Sequence, residues 1–122
     1  EQPIAPGMKY KHYSPNTPLT IITDIESKIG NDGKDWSSIA FIVPSNKVAF
    51  IPSEAQFIQL CQDDNDVKQA SHNLYDVLHS LDENENISAA YIYGFELNDN
   101  TEAIMNRMLK AAGNHIIKGC EL

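Results

Sequence analysis

The segment "SSIAFIVP" (Ser37–Pro44) decides the fold class, because its apolar residues follow one another with almost no polar interruption. A strand that is covered on both faces has this pattern, and such strands belong to parallel sheets. An antiparallel strand with one solvated face would alternate apolar and polar residues instead. The segment therefore predicts a central strand of an α/β domain.

Segments on both sides of this strand alternate between strand-like and helix-like patterns. Strands are predicted for "LTIIT" (Leu19–Thr23), "ISAAYIYGFEL" (Ile87–Leu97) and "HIIKG" (His115–Gly119). α-Helices are predicted within residues 64–83 and 98–114, each of which has an apolar stripe at helical spacing. In the first helix the stripe consists of Val67, Ala70, Leu74, Val77, Leu78 and Leu81. This alternation predicts a Rossmann-like α/β fold with helices on the sheet faces and right-handed crossovers.

Short segments between these elements leave local alternatives open. "DIESKIG" (Asp24–Gly30) predicts a short helix after the first strand, although a helix that begins at Pro18 also fits the apolar spacing. "VAFIP" (Val48–Pro52) echoes "IAFIVP" and is a candidate hairpin partner of the central strand. "QFIQLC" (Gln56–Cys61) fits a buried strand, but a helix over the same residues is the alternative.

Two pairs of residues have the capping-box spacing that is found where helices begin. Ser53 and Gln56 would begin the helix that competes with the "QFIQLC" strand. Asp99 and Glu102 predict the beginning of the second long helix, and Gly113 predicts its end.

Length and charge restrict the function classes that this chain can belong to. Its 122 residues are enough for one hydrophobic core. It carries 17 acidic and 9 basic residues, for a formal net charge of -8, which argues against binding along a nucleic-acid backbone. No apolar run approaches the roughly 18 residues that a transmembrane helix requires. We therefore expect one folded domain with no membrane partner and no direct contact to nucleic acid.

Most motifs that would carry chemistry are missing or incomplete. No nucleotide-binding glycine motif follows a predicted strand, so a dinucleotide or P-loop site is not expected. "DENENIS" (Asp82–Ser88) begins like a calcium loop but has Ile87 where that loop needs glycine. His72, Asp76 and His79 share one helix face with metal-ligand residue types, but this face lies opposite the apolar stripe. We expect a polar loop and a solvated helix face here, and no metal site.

The two cysteines, Cys61 and Cys120, are far apart and form no C-x-x-C motif. Two buried free thiols are expected in a reducing compartment, and one long-range disulfide in a secreted protein is the alternative. Neither arrangement predicts a catalytic thiol, because no local motif places a base beside either cysteine.

The N-terminal residues 1–17 contain Pro3, Pro6, Gly7 and Pro15 and no periodic apolar pattern. Proline lacks a backbone donor and extends the residue before it, so an extended N-terminal arm is predicted. Its stretch "PGMKYKHYSP" (Pro6–Pro15) holds the densest cluster of aromatic and basic side chains in the chain. This cluster is the candidate site that the other motifs leave unexplained.

The arm sequence "APGMKYKHYSP" (Ala5–Pro15) resembles the interdomain linker of long-form threonylcarbamoyl-adenylate synthases, whose pattern is P-G-M-[RK]-[YH]-[RK]-H-Y-[AS]-P. The rest of the chain is similar to the C-terminal accessory domain of that family, which begins with "PL" as Pro18-Leu19 does here. "ASHNLYDVLHSLDE" resembles the family's A-x-x-L-[FY]-x-x-L-R-x-L-D helix, and "AIMNRMLKAAGNHII" resembles A-[IV]-M-N-R-L-x-K-A-A-G-x-x-[IV]-[IV]. The resemblance covers essentially the whole chain.

This resemblance implies a fold and a domain organisation. Residues 1–17 would be the interdomain linker, and residues 18–122 a Rossmann-like accessory domain with a largely parallel sheet of about five strands flanked by helices. "QFIQLC" would then be a strand. The catalytic N-terminal domain of the family has no counterpart in this chain, so the fragment is expected to be inactive alone and to have that domain as its partner.

The resemblance also implies an activity for the full-length, cytoplasmic protein. The family condenses L-threonine, bicarbonate and ATP into threonylcarbamoyl-AMP and pyrophosphate, and the product serves the modification of an adenosine in tRNA. ATP and a divalent cation are implied for the full-length enzyme, and no cofactor for this fragment. The linker would act as a lid on the catalytic domain, through the side chains of Lys9, Tyr10, Lys11, His12 and Tyr13.

Two positions depart from the family pattern. Lys11 stands where arginine is common, which keeps the charge but loses the planar fork of a guanidinium group. The stretch "ELNDNTE" (Glu96–Glu102) replaces a turn that often contains glycines in the family. Two other functions stay open at this point: a stand-alone acidic interaction module, and binding of ATP, AMP or threonine by the globular domain itself.

Overall fold

The computed structural model describes residues 14–30 and 33–122, which form five β-strands, two α-helices and two 3₁₀ helices. The strands are β1 (Leu19–Thr23), β2 (Ile39–Val43), β3 (Gln56–Gln59), β4 (Ala89–Tyr93) and β5 (Ile116–Lys118). The α-helices are α1 (Val67–Glu83) and α2 (Glu102–Ala111), and the 3₁₀ helices span Ser45–Phe50 and Gly119–Glu121.

The strands form one sheet in the order β3-β2-β4-β1-β5, and every pairing is parallel. β4 lies between β1 and β2, so that Ile92 is level with Ile21 on one side and with Ile42 on the other. All three side chains are fully buried. The predicted α/β class with a parallel sheet of about five strands is confirmed.

Both α-helices pack on one face of the sheet, against Ile21, Ile42 and Ile92. α1 forms as its apolar stripe predicts, with Leu74, Leu78 and the other inward residues buried. Its N-cap is Asp66, whose carboxylate accepts a hydrogen bond from the amide of Gln69 at 3.3 Å. α2 buries its own stripe of apolar side chains, which consists of Ile104, Met105, Met108 and Ala111.

Irregular chain covers the opposite face. Ile25, Ile29 and Trp36, from the connection between β1 and β2, pack with Ile51 against Phe41 and its neighbours. In the described part of the chain, this face carries no α-helix. The helices that were expected on both faces therefore lie on one.

The chain order of the strands explains which segment covers which face. The connections from β1 to β2 and from β2 to β3 run toward the β3 edge, whereas those that contain α1 and α2 run toward the β5 edge. Crossovers between parallel strands are right-handed, so connections that run in opposite directions cover opposite faces.

The predicted strand Leu19–Thr23 forms as β1 with the predicted bounds, whereas the alternative to it and two predictions between β1 and β3 are wrong. Leu19–Thr23 is a strand rather than the beginning of a helix at Pro18, and no helix follows it over residues 24–30. Asp24 has a φ of 55°, in the left-handed region, and residues 25–29 form no helical turn. "VAFIP" is not a hairpin partner, because residues 45–50 form a 3₁₀ helix and β2 pairs in parallel with β3 and β4.

The capping boxes also differ from the predictions. Gln56 begins β3, so the strand prediction for "QFIQLC" is confirmed and the helix from Ser53 is wrong; β3 is an edge strand with Phe57 exposed rather than a buried one. The N-cap of α2 is Thr101 and not Asp99. Gly113 ends α2 as predicted, with a φ of 59°.

Candidate functional site

The five predicted lid residues, Lys9, Tyr10, Lys11, His12 and Tyr13, lie outside the described residues, which begin at Ser14. The structure therefore describes the place where the arm joins the domain. Residues 14–18 lie at the edge of the sheet where the strands begin, which we call the amino edge. α1 and α2 end at the same edge, because they lead into β4 and β5.

The arm is attached to the last residues of both α-helices. Ser14 Oγ donates a hydrogen bond to the carbonyl oxygen of Ala111, at the end of α2, over 3.0 Å. Thr17 Oγ1 lies 3.4 Å from the carbonyl oxygen of Leu81, near the end of α1. The final carbonyl groups of a helix have no partner one turn further along the helix. The Ser14 hydroxyl group supplies a donor to that of Ala111, whereas the carbonyl oxygen of Leu81 also accepts the amide of Asn84 over 3.3 Å. Pro15, between the two contacts, is buried.

The carboxylate of Asp82 makes three contacts to the described residues of the arm, 14–17. The amide of Asn16 donates to Oδ2 and the amide of Thr17 donates to Oδ1, each over 3.1 Å. Thr17 Oγ1 also lies 3.2 Å from Oδ1. Asp82 lies in the last turn of α1, on the surface of the domain. One carboxylate thus holds two consecutive peptide groups of the arm.

A groove of about 450 Å³ runs beside this attachment. Its walls are residues 14–20 on one side and Ala111, Ala112, Gly113 and His115 on the other. It lies next to the root of the arm rather than within the domain.

The opposite, carboxyl edge of the sheet contains two clefts on either side of the chain that follows β4. The connections after β1 and β2 cover one face and the connection after β4 covers the other, so the sheet has a topological switch point on each side of β4. The clefts have volumes of about 400 and 410 Å³, and both are lined by Tyr93, Phe95 and Glu96. In α/β proteins, ligands bind at this position of the sheet.

Acidic side chains line these clefts. Asp64 and Glu96 line the first cleft, and Asp24, Glu26 and Glu96 line the second. The lining includes one lysine, Lys47, whose Nζ lies 3.7 Å from Asp64 Oδ2. A phosphate group in either cleft would lie close to these carboxylates and be repelled by them.

Two ionisable groups beside the clefts are shifted in the direction that this charge predicts. Burial raises the pKa of the Tyr93 hydroxyl group, and the negative charge of Asp64 raises it further. Burial also raises the pKa of the Cys61 thiol to about 12, with additional contributions from Asp66, Asp63 and Asp64. Both groups are therefore neutral at physiological pH.

Comparison with known proteins identifies the family. A family model described as "Threonylcarbamoyl-AMP synthase, C-terminal domain" matches residues 1–113. The chain belongs to this family. The resemblance that the arm and helix motifs indicated is thus confirmed.

Two threonylcarbamoyl-AMP synthases illustrate how the domain relates to whole proteins. The chain is 30% identical over 122 residues to that of Bacillus subtilis (strain 168), a match that covers 97% of this chain and 34% of the relative. It is 29% identical over 117 residues to that of Pyrococcus abyssi (strain GE5 / Orsay), covering 93% of this chain and 33% of the relative. The chain therefore spans about a third of the length of these relatives.

A solved structure of the family has the same fold. The crystal structure of P. abyssi Sua5 complexed with L-threonine matches with a TM-score of 0.63 and 25% sequence identity, over 93% of this chain and 33% of that chain. As a member of the threonylcarbamoyl-AMP synthase family, the chain is related to transferases that act in tRNA modification.

The other candidate residues do not converge on a site in this C-terminal domain. His72 and Asp76 are exposed on α1, as expected of a solvated helix face, whereas His79 is half-buried and its Nε2 atom is covered. No group of three or more possible metal ligands occurs among residues 14–30 and 33–122. Both cysteines are free thiols; Cys61 is buried, as expected, but Cys120 is exposed. Over the same two ranges, no helix is long and apolar enough to cross a membrane.

Sequence reasoning missed two residues that organise the edges of the domain, Asp82 and Thr101. Asp82 corresponds to the aspartate that ends the family pattern A-x-x-L-[FY]-x-x-L-R-x-L-D, and a carboxylate in the last turn of a helix is unfavourable on electrostatic grounds. That position was a signal that the side chain has another partner. For Thr101 the sequence gives no such indication, and only the structure shows that its side chain is buried, at 3% exposure.

Proposed function

We propose that this chain is the linker and C-terminal domain of a threonylcarbamoyl-AMP synthase, and that residues 9–13 form a lid over the active site of the catalytic domain. The reaction would be the condensation of L-threonine, bicarbonate and ATP into threonylcarbamoyl-AMP and pyrophosphate. ATP and its divalent cation would bind to the catalytic domain. The globular domain anchors the lid and contributes no reacting group.

The attachment of residues 14–17 to the domain is the observation that supports this proposal best. The contacts to Ala111, Leu81 and Asp82 begin directly after the lid residues. Consecutive Cα atoms are about 3.8 Å apart, so the Cα atoms of Tyr13 and His12 lie within about 4 and 8 Å of that of Ser14. A fixed root therefore restricts the space that these two side chains can reach.

The lid side chains have the chemistry that the proposed substrates require. Lys9 and Lys11 supply positive charge for carboxylate or triphosphate groups, although neither can form the bidentate contact of an arginine. His12, Tyr10 and Tyr13 supply hydrogen bonds and bulk. A lid that excludes water would protect a carbamate intermediate from hydrolysis.

The charge of the clefts at the carboxyl edge favours an anchoring role over nucleotide binding by the globular domain. Carboxylates line both clefts beside Tyr93, and Lys47 is already paired with Asp64, so we expect these clefts to repel triphosphate groups. Millimolar ATP should therefore leave the melting temperature of this chain unchanged. A ligand at ten times its Kd would stabilise the domain by about 1.4 kcal/mol, a rise of about 5 °C, and such a rise would favour the nucleotide-binding alternative.

The lid is tested in the protein that carries this chain behind a catalytic domain. His12→Ala and Tyr13→Ala should each lower the kcat/KM for pyrophosphate release in the presence of L-threonine, bicarbonate and ATP by about a hundredfold. His72→Ala is the matched control, because His72 is exposed on α1 and should leave the rate unchanged. Equal rates for the His12 and His72 variants would refute the lid and favour a separate interaction module.

A further inference from the structure

We infer that Asp82 is the positioning residue of the arm: its carboxylate fixes the backbone of Asn16 and Thr17, in the segment that joins residues 9–13 to the domain. The inference rests on the proposed lid function for its consequence, but the contacts that carry it belong to this chain alone. Asp82 itself contributes no reacting group. It acts through the backbone of Asn16 and Thr17.

The geometry of the contact makes it directional. Oδ2 accepts the amide of Asn16 and Oδ1 accepts the amide of Thr17, both at 3.1 Å, so each carboxylate oxygen holds a different peptide group. A single hydrogen bond would let the arm rotate about it. Two bonds from one rigid, planar group to consecutive peptide units define the orientation of the backbone, and bonds to an ionised acceptor are stronger than neutral ones.

The place of Asp82 in α1 indicates that it is not there for the helix. The C-terminal end of a helix carries partial negative charge, so a carboxylate in its last turn is repelled. α1 has no basic residue in its last turn, and Glu83 adds a second carboxylate. The bonds to the arm offset this unfavourable position, because the two amides are donors that need an acceptor.

The remaining contacts hold the arm on either side of Asp82. Ser14 is bonded to the end of α2 and Thr17 to the carbonyl group of Leu81 on α1, with Pro15 buried between them. Removing the Asp82 carboxylate therefore leaves Ser14 and Pro15 in contact with the domain but frees the backbone of Asn16 and Thr17, so the root of the arm is held less rigidly. If residues 9–13 act as the proposed lid, a less rigid root lowers the fraction of molecules that are competent for the reaction, and catalytic efficiency falls in proportion.

The first test uses this chain as it is. In Asp82→Ala, the amides of Asn16 and Thr17 should exchange with deuterium about tenfold faster or more, while the amides of β4 keep their protection. Glu83→Ala is the matched control, because it removes a neighbouring carboxylate that forms no hydrogen bond to residues 14–17, the described part of the arm, and exchange should be unchanged. If both variants leave the two amides protected, the contact is not what holds the arm.

The second test uses the protein that includes the catalytic domain. Asp82→Ala should lower kcat/KM for pyrophosphate release about tenfold, whereas Glu83→Ala should not. Asp82→Asn keeps the shape and one acceptor oxygen, so an intermediate rate is expected, and it carries the test if the alanine variant does not fold. If Asp82→Ala speeds amide exchange but leaves kcat/KM unchanged, and His12→Ala still lowers kcat/KM, then Asp82 does not position the lid. If His12→Ala has no effect either, the lid itself fails.

Discussion

Thr101→Val should destabilise the domain through two hydrogen bonds at the loop between β4 and α2. Thr101 is the one buried polar side chain in the described part of the chain, at 3% exposure. Its Oγ1 donates to the carbonyl oxygen of Glu96 over 2.6 Å and accepts from the amide of Asn98 over 2.9 Å. Valine has nearly the same shape, so the substitution removes these bonds with little change in packing.

The size of the effect follows from those two bonds. Each contributes about 1 kcal/mol net, and the extra methyl group of valine recovers about 0.8 kcal/mol through burial. The free energy of unfolding should therefore fall by about 1 to 2 kcal/mol. An unfolding entropy of about 2.1 cal/mol/K per residue makes 1 kcal/mol equivalent to about 4 °C in a chain of this length, so Tm should fall by about 4 to 8 °C.

Thermal unfolding, followed by circular dichroism, measures the change, and amide exchange at Asn98 locates it. Thr101→Ser is the matched control, because it keeps the hydroxyl group and loses only a buried methyl, which costs about 0.8 kcal/mol. The Asn98 amide should exchange faster in the valine variant and not in the serine variant. A valine variant with wild-type Tm and a protected Asn98 amide would show that the two hydrogen bonds of Thr101 Oγ1 do not stabilise the domain.

Two further predictions follow from close packing and from ionisation. A Cβ atom at Gly94 would lie 2.6 Å from Ile21 Cγ2, so Gly94→Ala should lower the free energy of unfolding, measured in urea, by about 1 to 3 kcal/mol. The same substitution should lower it by less in a chain that also carries Ile21→Ala. Additive effects of the two substitutions would contradict the contact. Thiol titration should detect Cys120 in the folded chain and Cys61 only after unfolding, and equal reactivity would contradict the burial. The pKa of Cys61 is raised from 9.0 to about 12, so the unfolded chain loses this proton first as the pH rises. The stability contributed by the neutral thiol is complete below about pH 9 and falls between about pH 9 and 12, and Cys61→Ala should flatten this part of the stability curve measured by urea unfolding.

Much of the fold could be predicted because long periodic segments allow one structure. The stripe from Val67 to Leu81 has room for several helical turns, and the helix forms as predicted. Short segments were less certain, since five or six apolar residues fit a strand, a helix or an irregular covering segment equally well. "DIESKIG" and "VAFIP" were wrong for this reason: what covers Phe41 is decided by the sheet and not by the segment.

The site divides in the same way. The aromatic and basic residues at positions 9–13 stood out in the sequence because no core could use them, and their pattern indicated the family that comparison confirmed. The attachment of the arm did not stand out. Asn16 and Asp82 are 66 residues apart in the chain, and a single aspartate at the end of a helix has no periodic pattern around it.

The order of residues along the chain was enough to predict the fold class, the two long helices, three of the five strands and the family. Each depends on residue order along the chain, either through hydrophobic periodicity or through an unbroken motif. Three further features could be learned only from the folded structure: the strand order, the position of both α-helices on one face of the sheet, and the hydrogen bonds between the arm and Asp82. These depend on the direction of each crossover, which brings distant residues to the same edge of the sheet, and local spacing carries no information about that direction.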